Sequence, residues 1–116
     1  MIGDERRPEV GAGEAVDALA AGAYVLDVRE QHEWVEGHAP GVTSIPLSEL
    51  TDRVAEVPTD RPVLVVCHSG MRSARATDAL RGIGVDAQNV VGGMLAWRDA
   101  GGPVVTGDDA AGPSGA

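Results

Sequence analysis

The sequence has no phenylalanine and only one cysteine, and both shortages restrict how the protein can fold. Because Trp34, Trp97 and Tyr24 are its only aromatic residues, the core must consist mainly of Val, Leu, Ile and Ala, with the two tryptophans as its largest pieces. One cysteine cannot form an internal disulfide, so a disulfide-stabilised extracellular scaffold is excluded. With 116 residues, 43% of them hydrophobic, the chain is expected to form a single domain.

Basic residues and long apolar runs are also scarce. The formal net charge is −9, which argues against nucleic acid or an anionic membrane as a partner, because both attract basic proteins. No segment approaches the roughly 20 apolar residues of a membrane-spanning helix, and the first residues contain no secretory apolar segment. We therefore expect a cytoplasmic protein, and a monomer by default because no long exposed apolar helix is predicted.

The two ends of the sequence differ in composition from the middle. Residues 1–12 are charged and contain Pro8 and Gly11, whereas residues 106–116 are rich in Gly, Asp, Ala and Pro. Such segments lack the apolar side chains that order a chain. The composition predicts a flexible lead-in over residues 1–12, a folded domain over residues 13–105 and a disordered tail over residues 106–116.

Within the middle region, strand patterns alternate with helix patterns. Strands are predicted at residues 24–28, 43–45, 62–66 and 89–91, and helical patterns at residues 16–20, 30–36, 47–57, 76–83 and 94–100. The apolar run before Cys67 shows no polar alternation, which is typical of a strand covered on both faces. The alternation predicts an α/β domain with a mainly parallel sheet and helices on both of its faces.

The single cysteine, Cys67, follows the central predicted strand and precedes a helical pattern. The first N–H groups of a helix have no intrahelical partner and carry partial positive charge, so they stabilise a thiolate placed there. Arg72 adds a full charge, and Gly70 allows a turn with positive φ that brings successive N–H groups to one centre. The pattern predicts a nucleophilic sulfur beside an anion-binding loop, with a buried inert thiol as the alternative.

Four short segments together resemble the rhodanese-like sulfurtransferases, and the resemblance covers nearly all of residues 14–105. The segments are Leu26-Asp27-Val28-Arg29-Glu30, Glu36-Gly37-His38-Ala39-Pro40-Gly41-Val42 followed by Ile45-Pro46, Cys67-His68-Ser69-Gly70-Met71-Arg72-Ser73, and Gly92-Gly93-Met94-Leu95-Ala96-Trp97. The resemblance implies a five-stranded, mainly parallel sheet flanked by helices. It also implies that a loop cysteine accepts a sulfane sulfur, becomes a persulfide and passes the sulfur to a thiophilic acceptor.

The same resemblance assigns roles to individual residues. Cys67 is the catalytic nucleophile, and the substrate-binding loop is formed by His68, Ser69, Gly70, Met71, Arg72 and Ser73. The N–H groups of this loop would cradle the persulfide, Arg72 would hold an anionic donor and Ser73 would donate a hydrogen bond. Asp27 and Arg29 are candidates for supporting the site, although a structural ion pair is the favoured interpretation. No metal or organic cofactor is required.

Loop length and loop sequence narrow the substrate class. Four residues separate Cys67 from Arg72, fewer than in the related cysteine phosphatases, so phosphatase or arsenate reductase activity is the less favoured enzymatic alternative. The loop differs from that of the 3-mercaptopyruvate branch, which favours thiosulfate or a low-molecular-weight persulfide as donor and cyanide or a thiol as acceptor. The alternative from another class is a non-enzymatic sulfur-carrier or protein-binding module that works with a sulfur-relay partner.

Several other polar residues receive structural interpretations. His38 is expected to be a hydrogen-bonded structural histidine, and Glu33 and Glu36 are interpreted as a solvated helix face. Metal binding by His32, His38 and His68 is not expected, because no two of them have a spacing that places both on one helical face.

Overall fold

Five short strands form one sheet in the computed structural model, which describes residues 8–107. The strands are β1 (Glu9–Val10), β2 (Tyr24–Asp27), β3 (Thr43–Ser44), β4 (Val63–Val66) and β5 (Ala87–Val90). Their order across the sheet is β1-β5-β4-β2-β3, and these neighbouring strands pair in parallel. The predicted α/β fold is confirmed, and β4 lies at the centre of the sheet.

Helices cover both faces of this sheet. They are α1 (Ala12–Ala20), α2 (Gln31–Glu36), α3 (Leu47–Arg53), α4 (Met71–Gly82) and α5 (Gly93–Asp99), with a short 3₁₀ helix, Val54–Glu56, after α3. Core residues of α3 and α4 pack on one face, and those of α1, α2 and α5 pack on the other. Because β4 is buried along its whole length, it carries the unbroken apolar sequence of a strand covered on both sides. Within residues 8–107, no helix is both long enough and apolar enough to cross a membrane.

The two tryptophans are the largest fully buried side chains. Trp97 lies in the core cluster shared by α1, α2 and α5, and its indole N–H donates a hydrogen bond of 3.1 Å to the carbonyl of Pro103. Trp34 stacks on His38 with the ring centroids 3.6 Å apart. Nδ1 of His38 is 2.7 Å from the carbonyl oxygen of Trp34, which confirms the hydrogen-bonded structural role predicted for this histidine.

Some residues outside the predicted domain, residues 13–105, take part in the fold. Glu9 and Val10, expected in the flexible lead-in, form β1 and pair with β5, and α1 begins at Ala12. A two-residue edge strand has no periodicity that a sequence pattern can reveal. At the other end, the N–H of Gly107 donates to the carbonyl of Val35 at 2.8 Å, beyond the predicted start of the tail. Residues 1–7 and 108–116 of the predicted end segments lie outside the described residues.

Replacing Trp97 by alanine should lower the free energy of unfolding by about 3–5 kcal/mol, because the change leaves a cavity between α5 and the sheet. Chemical denaturation followed by circular dichroism measures the loss. Leu95→Ala is the matched control, since this side chain on the same helix is 50% exposed and its removal should cost about 0.5 kcal/mol or less. Equal losses in the two variants would contradict the packing role of Trp97.

Candidate active site

Cys67 lies where the central strand ends and the connection to α4 begins. β4 ends at Val66 and α4 begins at Met71, so the thiol stands at the carboxyl edge of a parallel sheet, where ligands of α/β proteins bind. The residue is only 1% exposed. A sulfur removed from water in this way depends on protein groups to stabilise any charge that it carries.

Hydrogen-bond donors from the loop and from the first turn of α4 surround this sulfur. Sγ of Cys67 is 3.1 Å from the N–H nitrogen of Gly70, 3.3 Å from that of Ser73 and 3.3 Å from the hydroxyl oxygen of Ser73. Gly70 has a φ of 103°, the left-handed conformation that was predicted for the turn. These donors favour the charged form of the sulfur over the neutral thiol.

Two opposing effects act on the pKa of the Cys67 thiol. Burial by itself raises the pKa, because it disfavours the charged form. The hydrogen bonds from the Ser73 hydroxyl and from the N–H groups of Ser73, Gly70 and Ser69 outweigh burial. The net effect is a thiol pKa below its ordinary value, as expected for a nucleophilic cysteine.

Asn89 on β5 connects the Ser73 hydroxyl to the rest of the loop. Its side chain is buried, its Oδ1 accepts a hydrogen bond from the Ser73 hydroxyl, and its Nδ2 donates to the carbonyl of Gly70 at 3.2 Å. A hydroxyl has one proton, and a thiolate is a stronger acceptor than an amide oxygen. Ionisation of Cys67 therefore favours rotation of the Ser73 proton towards the sulfur. This role was missed at the sequence level, where the only signal was a polar residue in a strand ending beside the loop.

The start of α5 holds the opposite side of the loop. The N–H groups of Met94 and Leu95 donate to the carbonyls of Cys67 and His68 at 2.7 and 3.1 Å. Gly93 approaches the loop so closely, with a φ of 56°, that a Cβ at this position would overlap both carbonyl oxygens. The glycine pair that was predicted as a turn is therefore also the contact surface that positions the active-site loop.

The guanidinium of Arg72 is paired with Glu33. Its Nη1 and Nη2 atoms lie 2.7 and 2.8 Å from the two carboxylate oxygens of Glu33, a bidentate ion pair between α4 and α2. The hydrogen bond from Arg72 is the main reason that the pKa of Glu33 is lowered to about 2. The interpretation of Glu33 as part of a merely solvated helix face is therefore wrong. The partners are 39 residues apart, so local spacing gives no sign of their contact.

Asp27 and Arg29 form a buried ion pair at the end of β2. Their closest oxygen and nitrogen are 2.8 Å apart, and the Arg29 guanidinium also donates to the carbonyl of Gly37 at 2.8 Å. Among the described residues, no hydrogen bond joins either side chain to Cys67. The pair connects the strand to the end of α2, which agrees with the structural interpretation, and Arg29 also lines the cleft beside the loop.

A cleft of about 220 Å³ opens beside the loop. It is lined by His68 from the loop, by Glu33 and Glu36 from α2, and by residues of α5 and neighbouring segments: Arg29, Gly37, Met94, Leu95 and Arg98. The predicted loop residues therefore divide by position, with Gly70 and Ser73 facing the sulfur and His68 facing the cleft. Ser69 is exposed, and so is Met71, at 77%.

The groups around Cys67 are suited to an anion. Within the part of the chain that the structure describes, no three His, Cys, Asp or Glu side chains come together as a metal-binding group. Converging N–H groups at a helix start bind negative charge instead.

The sequence matches the family model described as the rhodanese-like domain over residues 11–100. The chain belongs to the rhodanese-like family. It is 33% identical over 86 residues to the thiosulfate sulfurtransferase GlpE of Pseudomonas entomophila. The matched region covers 73% of this chain and 79% of that relative. It is also 40% identical over 74 residues to the putative sulfur carrier protein YrkF of Bacillus subtilis. This match covers 63% of this chain and 40% of the relative.

The solved structure of a rhodanese-related protein supports the same assignment. The crystal structure of a rhodanese-related protein from Thermoplasma volcanium has a TM-score of 0.79 and 34% sequence identity, and the match covers 86% of this chain and 98% of that one. This similarity confirms the predicted rhodanese-like fold. The chain spans between 36% and 60% of the length of three curated relatives that it matches.

Removing the Ser73 hydroxyl should raise the pKa of Cys67, because the hydroxyl stabilises the thiolate and not the thiol. We expect Ser73→Ala to shift the pKa upward and to slow alkylation at neutral pH by up to roughly tenfold. The rate of alkylation by iodoacetamide as a function of pH measures both effects.

The matched control is Thr77→Ala, one turn later on α4. Thr77 is buried, and its hydroxyl has no partner among residues 8–107, so its removal should leave the thiol pKa unchanged. A pKa that stays at the wild-type value in Ser73→Ala would show that the hydroxyl does not stabilise the thiolate.

Proposed function

We propose that this protein is a sulfurtransferase, which moves a sulfane sulfur from an anionic donor to a thiophilic acceptor through a persulfide on Cys67. The proposed donor is thiosulfate or a low-molecular-weight persulfide, and the proposed acceptor is cyanide or a thiol. The observation that carries the proposal is the set of donors from Gly70 and Ser73 around Sγ. Such donors lower the energy of negative charge on sulfur before and after transfer.

The proposed reaction has two half-reactions with Cys67 as the nucleophile. With thiosulfate, the thiolate attacks the outer sulfur, a new S–S bond forms, and the bond to the sulfonate sulfur breaks so that sulfite leaves with the electron pair. With cyanide, the acceptor then attacks the outer sulfur of the persulfide, thiocyanate leaves and the thiolate is restored. Dividing the transfer through a covalent intermediate is ordinary nucleophilic catalysis, and its atoms and charges balance without a cofactor.

The first turn of α4 supplies donors for the outer sulfur of the persulfide. The N–H groups of Met71 and Arg72 belong to the first helical turn and have no intrahelical acceptor. The helix continues for twelve residues, so its dipole adds to the partial positive charge at this end. We therefore assign these two N–H groups to the transferred sulfur, and those of Gly70 and Ser73 to Sγ.

A sulfur-carrier module is the second candidate. The exposed Met71 beside the loop offers an apolar contact for a partner protein, and the chain resembles the putative sulfur carrier YrkF. In this case a relay protein, and not a small molecule, would load Cys67. For either function we propose a cytoplasmic location, because a reducing compartment preserves a reactive thiol. We also propose a monomer, which is the default expectation from the sequence.

Wild-type protein incubated with thiosulfate should gain the mass of one sulfur atom, and subsequent cyanide should remove that mass and release thiocyanate. Cys67→Ser should show neither change while keeping the wild-type circular dichroism spectrum, because serine preserves the shape of the loop. Intact-mass spectrometry provides the readout. Transfer by Cys67→Ser near the wild-type rate would contradict the mechanism, whereas loading only by a protein donor would favour the carrier function.

Arg72→Ala should raise the KM for thiosulfate by roughly tenfold and change kcat less, because it removes a positive charge and leaves Glu33 uncompensated beside the donor. Steady-state formation of thiocyanate measures both constants. Arg75→Ala is the matched control, since it removes the same charge from an exposed position on the same helix. An unchanged KM in Arg72→Ala would exclude this arginine from donor binding.

A further inference from the structure

Both arginines that the sequence places at the site are already paired with carboxylates. Arg72 forms the bidentate pair with Glu33, and Arg29 forms the buried pair with Asp27. Each pair has a net charge of zero. An anionic donor that approaches Cys67 therefore meets hydrogen-bond donors, but at these two arginines it meets no positive charge that lacks a counter-charge.

The counter-charge of Arg72 is permanent at physiological pH. Glu33 is held in its ionised form by the guanidinium, with a pKa of about 2. The two side chains are only partly exposed, at 36% for Arg72 and 24% for Glu33, so solvent screens their charges less than at an open surface. Glu33 also lines the cleft beside His68, together with the carboxylate of Glu36. The guanidiniums of Arg29 and Arg98 line the same cleft, so its lining carries charges of both signs. Glu33 differs from Glu36 in that its carboxylate also neutralises Arg72.

We propose that Glu33 is a specificity-determining residue, which disfavours doubly charged donors such as thiosulfate relative to persulfides of lower charge. The inference rests on the proposed sulfurtransferase function. Thiosulfate either displaces the Glu33 carboxylate from Arg72 or binds a guanidinium whose charge is already balanced. A persulfide with an uncharged organic group needs neither step, although it is attacked by the same thiolate of Cys67.

A purely positioning role for Glu33 gives the opposite expectation. If Glu33 served only to hold Arg72 in place, loss of its charge would loosen the guanidinium and weaken thiosulfate binding. Glu33→Gln separates the two roles, because the glutamine amide oxygen still accepts one hydrogen bond from Arg72 while the negative charge is gone. The sign of the change therefore decides between specificity and positioning.

The test is the second-order rate constant for sulfur loading of Cys67, measured by rapid quenching and intact-mass spectrometry. The donors are thiosulfate and the persulfide of 2-mercaptoethanol, which carries no charge beyond that of its sulfur. We expect Glu33→Gln to raise the thiosulfate constant by about tenfold, the effect of removing a nearby, partly screened unit charge. The constant for the persulfide should stay within about twofold, since this donor lacks the second charge.

Glu36→Gln is the matched control, because Glu36 contributes the same charge to the same cleft and forms no ion pair with Arg72 among the described residues. We expect its thiosulfate constant to change by about twofold or less. The ratio of the two donor constants within one variant cancels any change in the reactivity of the Cys67 thiolate. Glu33→Ala also removes the charge and should shift this ratio in the same direction. It replaces Glu33→Gln in the test if the glutamine variant does not fold.

Three results would overturn the inference while leaving the proposed function intact. The first is a fall in the thiosulfate rate constant of Glu33→Gln, and the second is a rise in this variant that is equal for both donors. The third is a rise in the thiosulfate rate constant of Glu36→Gln as large as that of Glu33→Gln. A folded wild-type protein that takes up sulfur from neither donor would instead contradict the proposed function, and the inference with it. A raised ratio of thiosulfate to persulfide loading, confined to the Glu33 variants, supports the assignment.

Discussion

A sulfur buried at the end of a central strand can carry negative charge only because hydrogen-bond donors replace the water that it has lost. Here the donors are the N–H groups of Gly70 and Ser73 and the Ser73 hydroxyl. The rest of the fold keeps them in place. β4 delivers Cys67 to the edge of the sheet, α4 begins directly after the loop, and the start of α5 binds the carbonyls on its other side.

The short helix α2 contributes both to the hydrophobic core and to the charge balance of the site. Trp34 on this helix is buried against the sheet, while its neighbour Glu33 extends to the guanidinium of Arg72. Packing of the tryptophan therefore fixes the position from which the carboxylate acts. As a result, the site stabilises negative charge through oriented dipoles at the sulfur and balances the full charge of Arg72 with a carboxylate.

Features of the sequence that repeat over short distances predicted most of the fold. The apolar run before Cys67 predicted the central strand, and the helical periodicity after it predicted α4, because burial imposes such patterns locally. The position of Cys67 follows from the end of that strand, and the positive φ of Gly70 was predictable because glycine adopts it without a steric cost. The contacts of Glu33 with Arg72 and of Asn89 with Ser73 join distant segments, so no local pattern contains them. The two-residue strand β1 was missed because it is too short to show periodicity.

Titration of the Cys67 thiol in the wild-type protein tests the central claim most directly. The protein has a single cysteine, so the ultraviolet absorbance of the thiolate, with Cys67→Ser as the blank, reports on this residue alone. If the loop donors outweigh burial, the midpoint will lie below the value of about 8.5 that an unperturbed cysteine has. A midpoint at or above that value would show that burial dominates, and it would contradict a loop built to stabilise charge on the sulfur.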